Sequence, residues 1–121
     1  MRRPSLALAV AINRAVRGAD EWFEEPDDLP RLASSLRSID EIDDPVVAAA
    51  MLAFRITRAQ AFGEGNKRTA LLLARWVLDH NGLDGATLLP PSDRELADLL
   101  VQAAAGTDVE EEVIRLLGGR T

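Results

Sequence analysis

From Ala70 to Leu78 the chain reads Ala-Leu-Leu-Leu-Ala-Arg-Trp-Val-Leu, apolar on nearly every side of a helix. A helix of that kind offers no broad face to water, so it must be a central, buried element on which others pack. The residues just before it are of opposite character: Gln60-Ala61-Phe62-Gly63-Glu64-Gly65-Asn66-Lys67-Arg68-Thr69. Two glycines flank a carboxylate, and an Asn-Lys-Arg-Thr run follows. The pattern predicts a glycine-rich turn entering a helix over about 66–80.

A helix N-terminus carries unpaired backbone N–H groups and a partial positive charge. Lys67 and Arg68 place two cations there, each unfavourable by about 0.3–1 kcal/mol. An anion in the turn explains that arrangement. Phosphate suits it, because backbone N–H groups, the dipole and a bidentate arginine all favour it. Glu64 is placed to hold a hard cation such as Mg²⁺, which binds through few carboxylates plus substrate phosphates. The competing reading is an ordinary solvated helix start, with Asn66 as N-cap and two surface cations.

The run Phe62-Gly63-Glu64-Gly65-Asn66-Lys67-Arg68-Thr69-Ala70 resembles the Fic/Doc signature. In that family His-x-Phe-x-(Asp/Glu)-(Gly/Ala)-Asn-(Gly/Lys)-Arg opens an anion-binding helix. The Asn-Lys-Arg-Thr-Ala form is similar to the Doc toxin branch, whereas typical Fic adenylyltransferases carry Gly-Asn-Gly. The likeness extends downstream to Asn81-Gly82, Glu95 to Leu99, Ala103 to Gly106 and Leu116 to Gly118. It covers the C-terminal half well and the N-terminal half only by helix pattern. One departure stands out, for Gln60 occupies the position of the family's catalytic histidine.

What the resemblance implies is specific. Gly65, Asn66, Lys67, Arg68 and Thr69 bind nucleotide phosphate, Phe62 is a structural motif residue, and Glu64 carries Mg²⁺. Gln60, Lys67 and Arg68 occupy the catalytic positions. ATP and Mg²⁺ are the expected cofactors. A lysine at position 67 goes with the Doc arrangement, in which the γ-phosphate passes to a Thr of elongation factor Tu and translation halts. Two alternatives stay open: adenylyl transfer to a protein hydroxyl, and a non-catalytic module that binds nucleotide or antitoxin. The inhibitory Ser/Thr-x-x-x-Glu-Gly/Asn motif of some Fic proteins does not occur in the sequence, which points to a Phd-like antitoxin acting in trans. Gln60 has no useful pKa near neutrality and can only orient a hydroxyl or water. Losing a general base costs about 10²–10⁴-fold in rate. Gln60 thus marks a weakened natural variant, a pseudoenzyme, or an inactivating substitution.

The other segments are expected to serve this centre. At 121 residues the chain suits one domain, and 47% apolar with only 4% aromatic residues favours closely packed helices. No cysteine is present, which excludes disulfides and thiolate metal sites and fits a cytoplasmic location. A net charge of −6 argues against direct nucleic-acid binding. No stretch reaches the ~18 apolar residues of a membrane span. The start, Met1 to Ile12, imitates a signal peptide but reads better as a first amphipathic helix over about 4–17.

Gly18 ends that helix. An acidic loop with Trp22 and Phe23 follows, either tucking both rings into the core or presenting them to a partner. Asp28 caps a second helix with Pro30 in its first turn. Asp40 to Asp44 lies, by the resemblance, near the flap that docks the target segment, and Asp44 is also an N-cap before Pro45. The third helix, about 45–61, carries Arg55 and Arg58 on one face, as ion-pair cations or as supplements to the phosphate site. Arg75 is expected to pair with Asp79, and His80 to interact with the dipole in the last turn of the fourth helix. Asn81-Gly82 caps that turn. Ser92 to Glu95 and Thr107 to Glu110 read as capping boxes opening a fifth and a sixth helix. The expected fold is an all-α, Fic/Doc-like bundle of about six helices around the helix over 66–80.

Overall fold

The structure, a computed structural model, describes residues 1–17 and 27–121. The expectation for Trp22 and Phe23 lies outside the described residues. Among the described residues seven helices form: α1 (Leu6–Arg17), α2 (Leu29–Arg37), α3 (Pro45–Ala59), α4 (Asn66–Asp79), α5 (Gly85–Leu88), α6 (Arg94–Ala104) and α7 (Glu110–Gly118). No strand occurs among the described residues. None of their helices is long and apolar enough to cross a membrane.

Helix α3 shares the centre with α4. It packs against α2, α4, α6 and α7, and α4 packs in turn against α1, α3 and α5. The reason is side-chain size: Ala48, Ala49, Ala50 and Ala53 are fully buried, and small residues let neighbouring helices come close from several directions. Thr69, Ala70, Leu73, Ala74, Val77 and Leu78 bury the inner side of α4. Its outer side is more open than the apolar run suggests, with Leu72 41% exposed.

Aspartates start four of the helices. Asp28 accepts from the Arg31 N–H, Asp44 from Val46 and Val47, Asp84 from Ala86 and Thr87, and Asp93 from Leu96. Each satisfies donors that the first helical turn leaves without an intrahelical acceptor. The cap of α6 is therefore Asp93 and not Ser92. At α7 no capping box forms, because the Glu110 carboxylate is drawn to Arg55, at 2.7 and 3.0 Å. At the far end of α4 the Asn81-Gly82 cap forms as expected: Gly82 takes φ +84° and the Leu83 N–H reaches the Leu78 carbonyl at 3.0 Å. The Asn81 side chain adds bonds to the carbonyls of Val77 and Arg2.

The bundle agrees with the expected all-α fold of about six helices, and the helix not anticipated is α5, four residues long and too short to show periodicity. Its presence corrects the expected Arg75–Asp79 pair. Arg75 donates to the Leu89 carbonyl at one end of α5, and Asp79 accepts the Gly85 N–H at the other. Gly85 is required there, since a Cβ would lie 2.5 Å from the Arg75 side chain and 2.7 Å from the Asp79 carboxylate.

Candidate active site

The glycine-rich turn joins the two central helices. At its start Gln60 ends α3 in the left-handed region, φ +51°, and is the one non-glycine residue with positive φ among the described residues. Such a conformation costs a side-chain-bearing residue about 1–2 kcal/mol. The Gln60 amide donates to the Thr57 carbonyl at 2.6 Å and accepts from the Asn66 side chain at 3.4 Å.

Phe62 is buried and anchors the middle of the turn. Asn66 closes the turn from within: its oxygen accepts the Phe62 N–H at 3.0 Å and its amide donates to the Phe62 carbonyl at 2.9 Å. This corrects the alternative in which Asn66 is the N-cap. Asn66 is the first helical residue, and Gly65, at φ +75°, stands at the cap position with no side chain accepting from the first turn.

Helix α1 and Asp27 hold the turn from behind. The Asn13 amide donates to the Glu64 carbonyl at 2.9 Å and to the Thr69 hydroxyl at 3.0 Å. The Arg17 Nε donates to the same carbonyl at 3.2 Å, and its guanidinium pairs with Asp27 at 2.9 Å. Asp27 also accepts the Gly63 N–H at 3.1 Å. The Arg17 guanidinium lies 5.8 Å from the Phe62 ring centre. A Cβ on Gly65 would meet Val16 at 3.2 Å and Asn13 at 3.3 Å, so the close approach of α1 requires glycine. These contacts fix the Glu64 carbonyl against α1.

Forward lies a cleft of about 430 Å³. Gln60, Glu64, Gly65, Asn66, Lys67 and Arg68 line one side, and Leu100, Val101 and Ala104 of α6 line the other. The structure therefore brings together six of the eight site residues read from the sequence. The other two lie elsewhere. Phe62 supports the turn from the core. Thr69, expected at the phosphate, is fully buried, with its hydroxyl accepting from Asn13 and its N–H donating to the Gly65 carbonyl, and does not line the cleft.

Lys67 and Arg68 are exposed. Arg68 donates to the Val16 carbonyl at 3.3 Å, which holds it over the end of α1 and beside the cleft. Glu64 is exposed and enters no ion pair among the described residues. No group of three metal-ligating side chains occurs among them. One carboxylate is nonetheless what a phosphate-bound Mg²⁺ asks of a protein, since the ion keeps several waters. Arg55 and Arg58 do not supplement this cleft. Arg55 pairs with Glu110, which raises its pKa further, and Arg58 sits over Phe54; both line a separate groove with Arg31. His80 stacks on Trp76 at the opposite end of α4 and bonds to the Trp76 carbonyl at 2.9 Å.

Sequence reasoning missed Asn13, Arg17 and Asp27. A signal exists for the first two: with Ala9 they recur every four residues and form the buried stripe of α1. Polar side chains on the inward stripe of an amphipathic helix call for buried partners. Asp27 carries no such signal.

One comparison with known proteins bears on this chain. The family model described as Fic/DOC family matches residues 6–78, more than half of the chain. The matched range takes in α1 to α4 and ends within α4, so it rests on the N-terminal helices and the turn more than on the downstream segments 81–118. No curated relative matches the chain. A match of that extent, over α1, α3 and the turn that enters α4, places this chain in the Fic/DOC family.

Proposed function

We propose that this chain is a Doc-like toxin that holds ATP and Mg²⁺ in the cleft before α4 and serves phosphate transfer to a Thr or Ser hydroxyl of a translation factor. Elongation factor Tu is the target the resemblance suggests, and a Phd-like antitoxin its partner in trans. The observation that carries the reading is the start of α4. Four other helices begin on an aspartate side chain, whereas α4 begins on Gly65 with no side-chain acceptor, and Lys67, Arg68 and Glu64 line the cleft beside that uncapped first turn.

ATP with Mg²⁺ supplies the transferable group. The chain supplies position and charge, which account for most of phosphoryl-transfer catalysis. The first-turn N–H groups and the Arg68 fork bind phosphate oxygens. Lys67 offsets negative charge as a point cation. Glu64 would hold the metal ion. Gln60 orients the incoming hydroxyl through its carboxamide oxygen but takes no proton, so transfer is slow.

Gln60 also favours a second reading, a module that binds nucleotide or antitoxin without turnover. Two measurements separate the readings. ATP with Mg²⁺ raises the melting temperature, and Arg68→Ala abolishes the rise; absence of any shift in the parent chain removes the nucleotide site. Gln60→His raises label transfer from γ-labelled ATP to translation factors about 10²–10⁴-fold. Transfer from α-labelled ATP instead identifies an adenylyltransferase, and no transfer from either leaves the binding module.

A further inference from the structure

A second cavity lies beside the motif cleft, and Lys67 lines both. It is the more enclosed of the two and holds about 260 Å³, roughly nine times the ~30 Å³ share of a liquid water. Leu71 of α4, Leu89, and Leu96 and Ala97 of α6 make its walls apolar. Pro90 and Pro91 form the rim. Their fixed φ angles keep the rim in shape without a ligand.

The charge in this cavity is one-sided. Lys67, Leu71 and Arg75 are four residues apart and share one stripe of α4, so both cations face the same space. Lys67 enters no ion pair among the described residues. Arg75 has no carboxylate partner among them either: it donates to the Leu89 carbonyl, and its Nε is buried with no acceptor. The one acid in the wall, Asp93, is committed to Arg120 and to the Leu96 N–H. An apolar pocket with two uncompensated cations, in a chain of net charge −6, is complementary to one kind of ligand.

We infer that this cavity is a binding site for a small organic carboxylate with an apolar body, and that its occupant engages Lys67 at the expense of the motif cleft. The apolar body replaces water against the leucines and prolines, and the carboxylate compensates Lys67 and Arg75. Because one ammonium serves both spaces, occupancy weakens phosphate binding next door. That coupling rests on the nucleotide reading above; the binding itself does not.

Benzoate is a suitable probe, with benzamide as its neutral counterpart. Titrated into the ¹⁵N-labelled full chain, benzoate is expected to shift amides around Leu71, Leu89 and Ala97 with a Kd on the order of a millimolar, about −4 kcal/mol. Benzamide leaves them in place. Lys67→Gln, an exposed change, weakens benzoate about tenfold, and Ala97→Phe fills the cavity and abolishes binding. Saturating benzoate lowers ATP–Mg²⁺ affinity in the parent chain and not in Lys67→Gln. Equal shifts with benzamide, shifts scattered over the surface, or full affinity in Lys67→Gln each overturn the site; the last decides even if Ala97→Phe does not fold. Benzoate binding with unaltered ATP affinity overturns the coupling. A chain that binds benzoate but not ATP counts against the nucleotide reading and leaves the carboxylate site standing.

Discussion

Helices α3 and α4 lie side by side and begin in opposite ways. Before α3, the Asp44 carboxylate accepts the N–H groups of Val46 and Val47 at 2.9 and 3.5 Å, and Pro45 removes a further donor. Before α4 stands a glycine, and no side chain accepts from the first turn. A cap that satisfies its own helix is local, cheap to encode and closed to anything else. The α4 start leaves its donors available, and its shape is held from outside by Asn13, Arg17 and Asp27. The difference teaches that an open helix start needs tertiary support that a capped one does not.

The first way to break this contrast is to remove that support. Arg17→Met keeps much of the buried aliphatic bulk but leaves the Asp27 carboxylate without its cation and the Glu64 carbonyl short of a donor. Breaking a buried pair in this way is expected to cost about 3 kcal/mol, read by urea unfolding, and to remove ATP-induced stabilisation as well. An unchanged unfolding midpoint with intact ATP binding would separate the clamp from the site.

A smaller effect is expected from Gly65→Ala, which places a Cβ at φ +75° and 3.2 Å from Val16. The cost is about 1–2 kcal/mol, and ATP–Mg²⁺ affinity should fall with it, because the donors turn as the backbone adjusts. Asp44→Ala sharpens the comparison from the other side. It should lose about 1 kcal/mol, the usual worth of an N-cap, and leave ATP affinity unchanged. Calorimetric titration of both variants gives the contrast directly: one site lost, one helix weakened.

The smallest effect concerns acid stability away from the site. The Arg120 hydrogen bond holds the Asp93 carboxyl below its ordinary value. A carboxyl that is more acidic folded than unfolded contributes stability that is complete above the unfolded pKa, about 3.9. That contribution declines as pH falls through the lower folded value. Arg120→Gln should therefore flatten the pH dependence of unfolding below about pH 4 and lower stability at pH 7, whereas ATP-induced stabilisation is unaffected.

Much of this was legible from local pattern. The caps at Asp28 and Asp44, the Asn81-Gly82 stop and the turn entering α4 depend on residues within a few positions of one another, and local spacing reports local geometry. Gln60, Glu64, Gly65, Asn66, Lys67 and Arg68 gather at one cleft because they are nearly consecutive. What escaped was set by partners far along the chain. Asn13 reaches Thr69, Arg55 reaches Glu110, and Arg75 turns from Asp79 to Leu89. A long side chain goes where the packed bundle offers it an acceptor, and a sequence window contains no such information.

The amino-acid order alone determined that this chain is helical, that its apolar run belongs to a central helix, and that a glycine-rich turn bearing two cations precedes that run. Periodicity and capping chemistry act over one or two turns, so they can be read without a fold. Only the tertiary structure decided which way the turn faces, that Thr69 points inward, and that one lysine borders two cavities. Those outcomes depend on α1 pulling the Glu64 carbonyl back and on α6 closing the opposite wall, and both act across distances that the order of residues does not express.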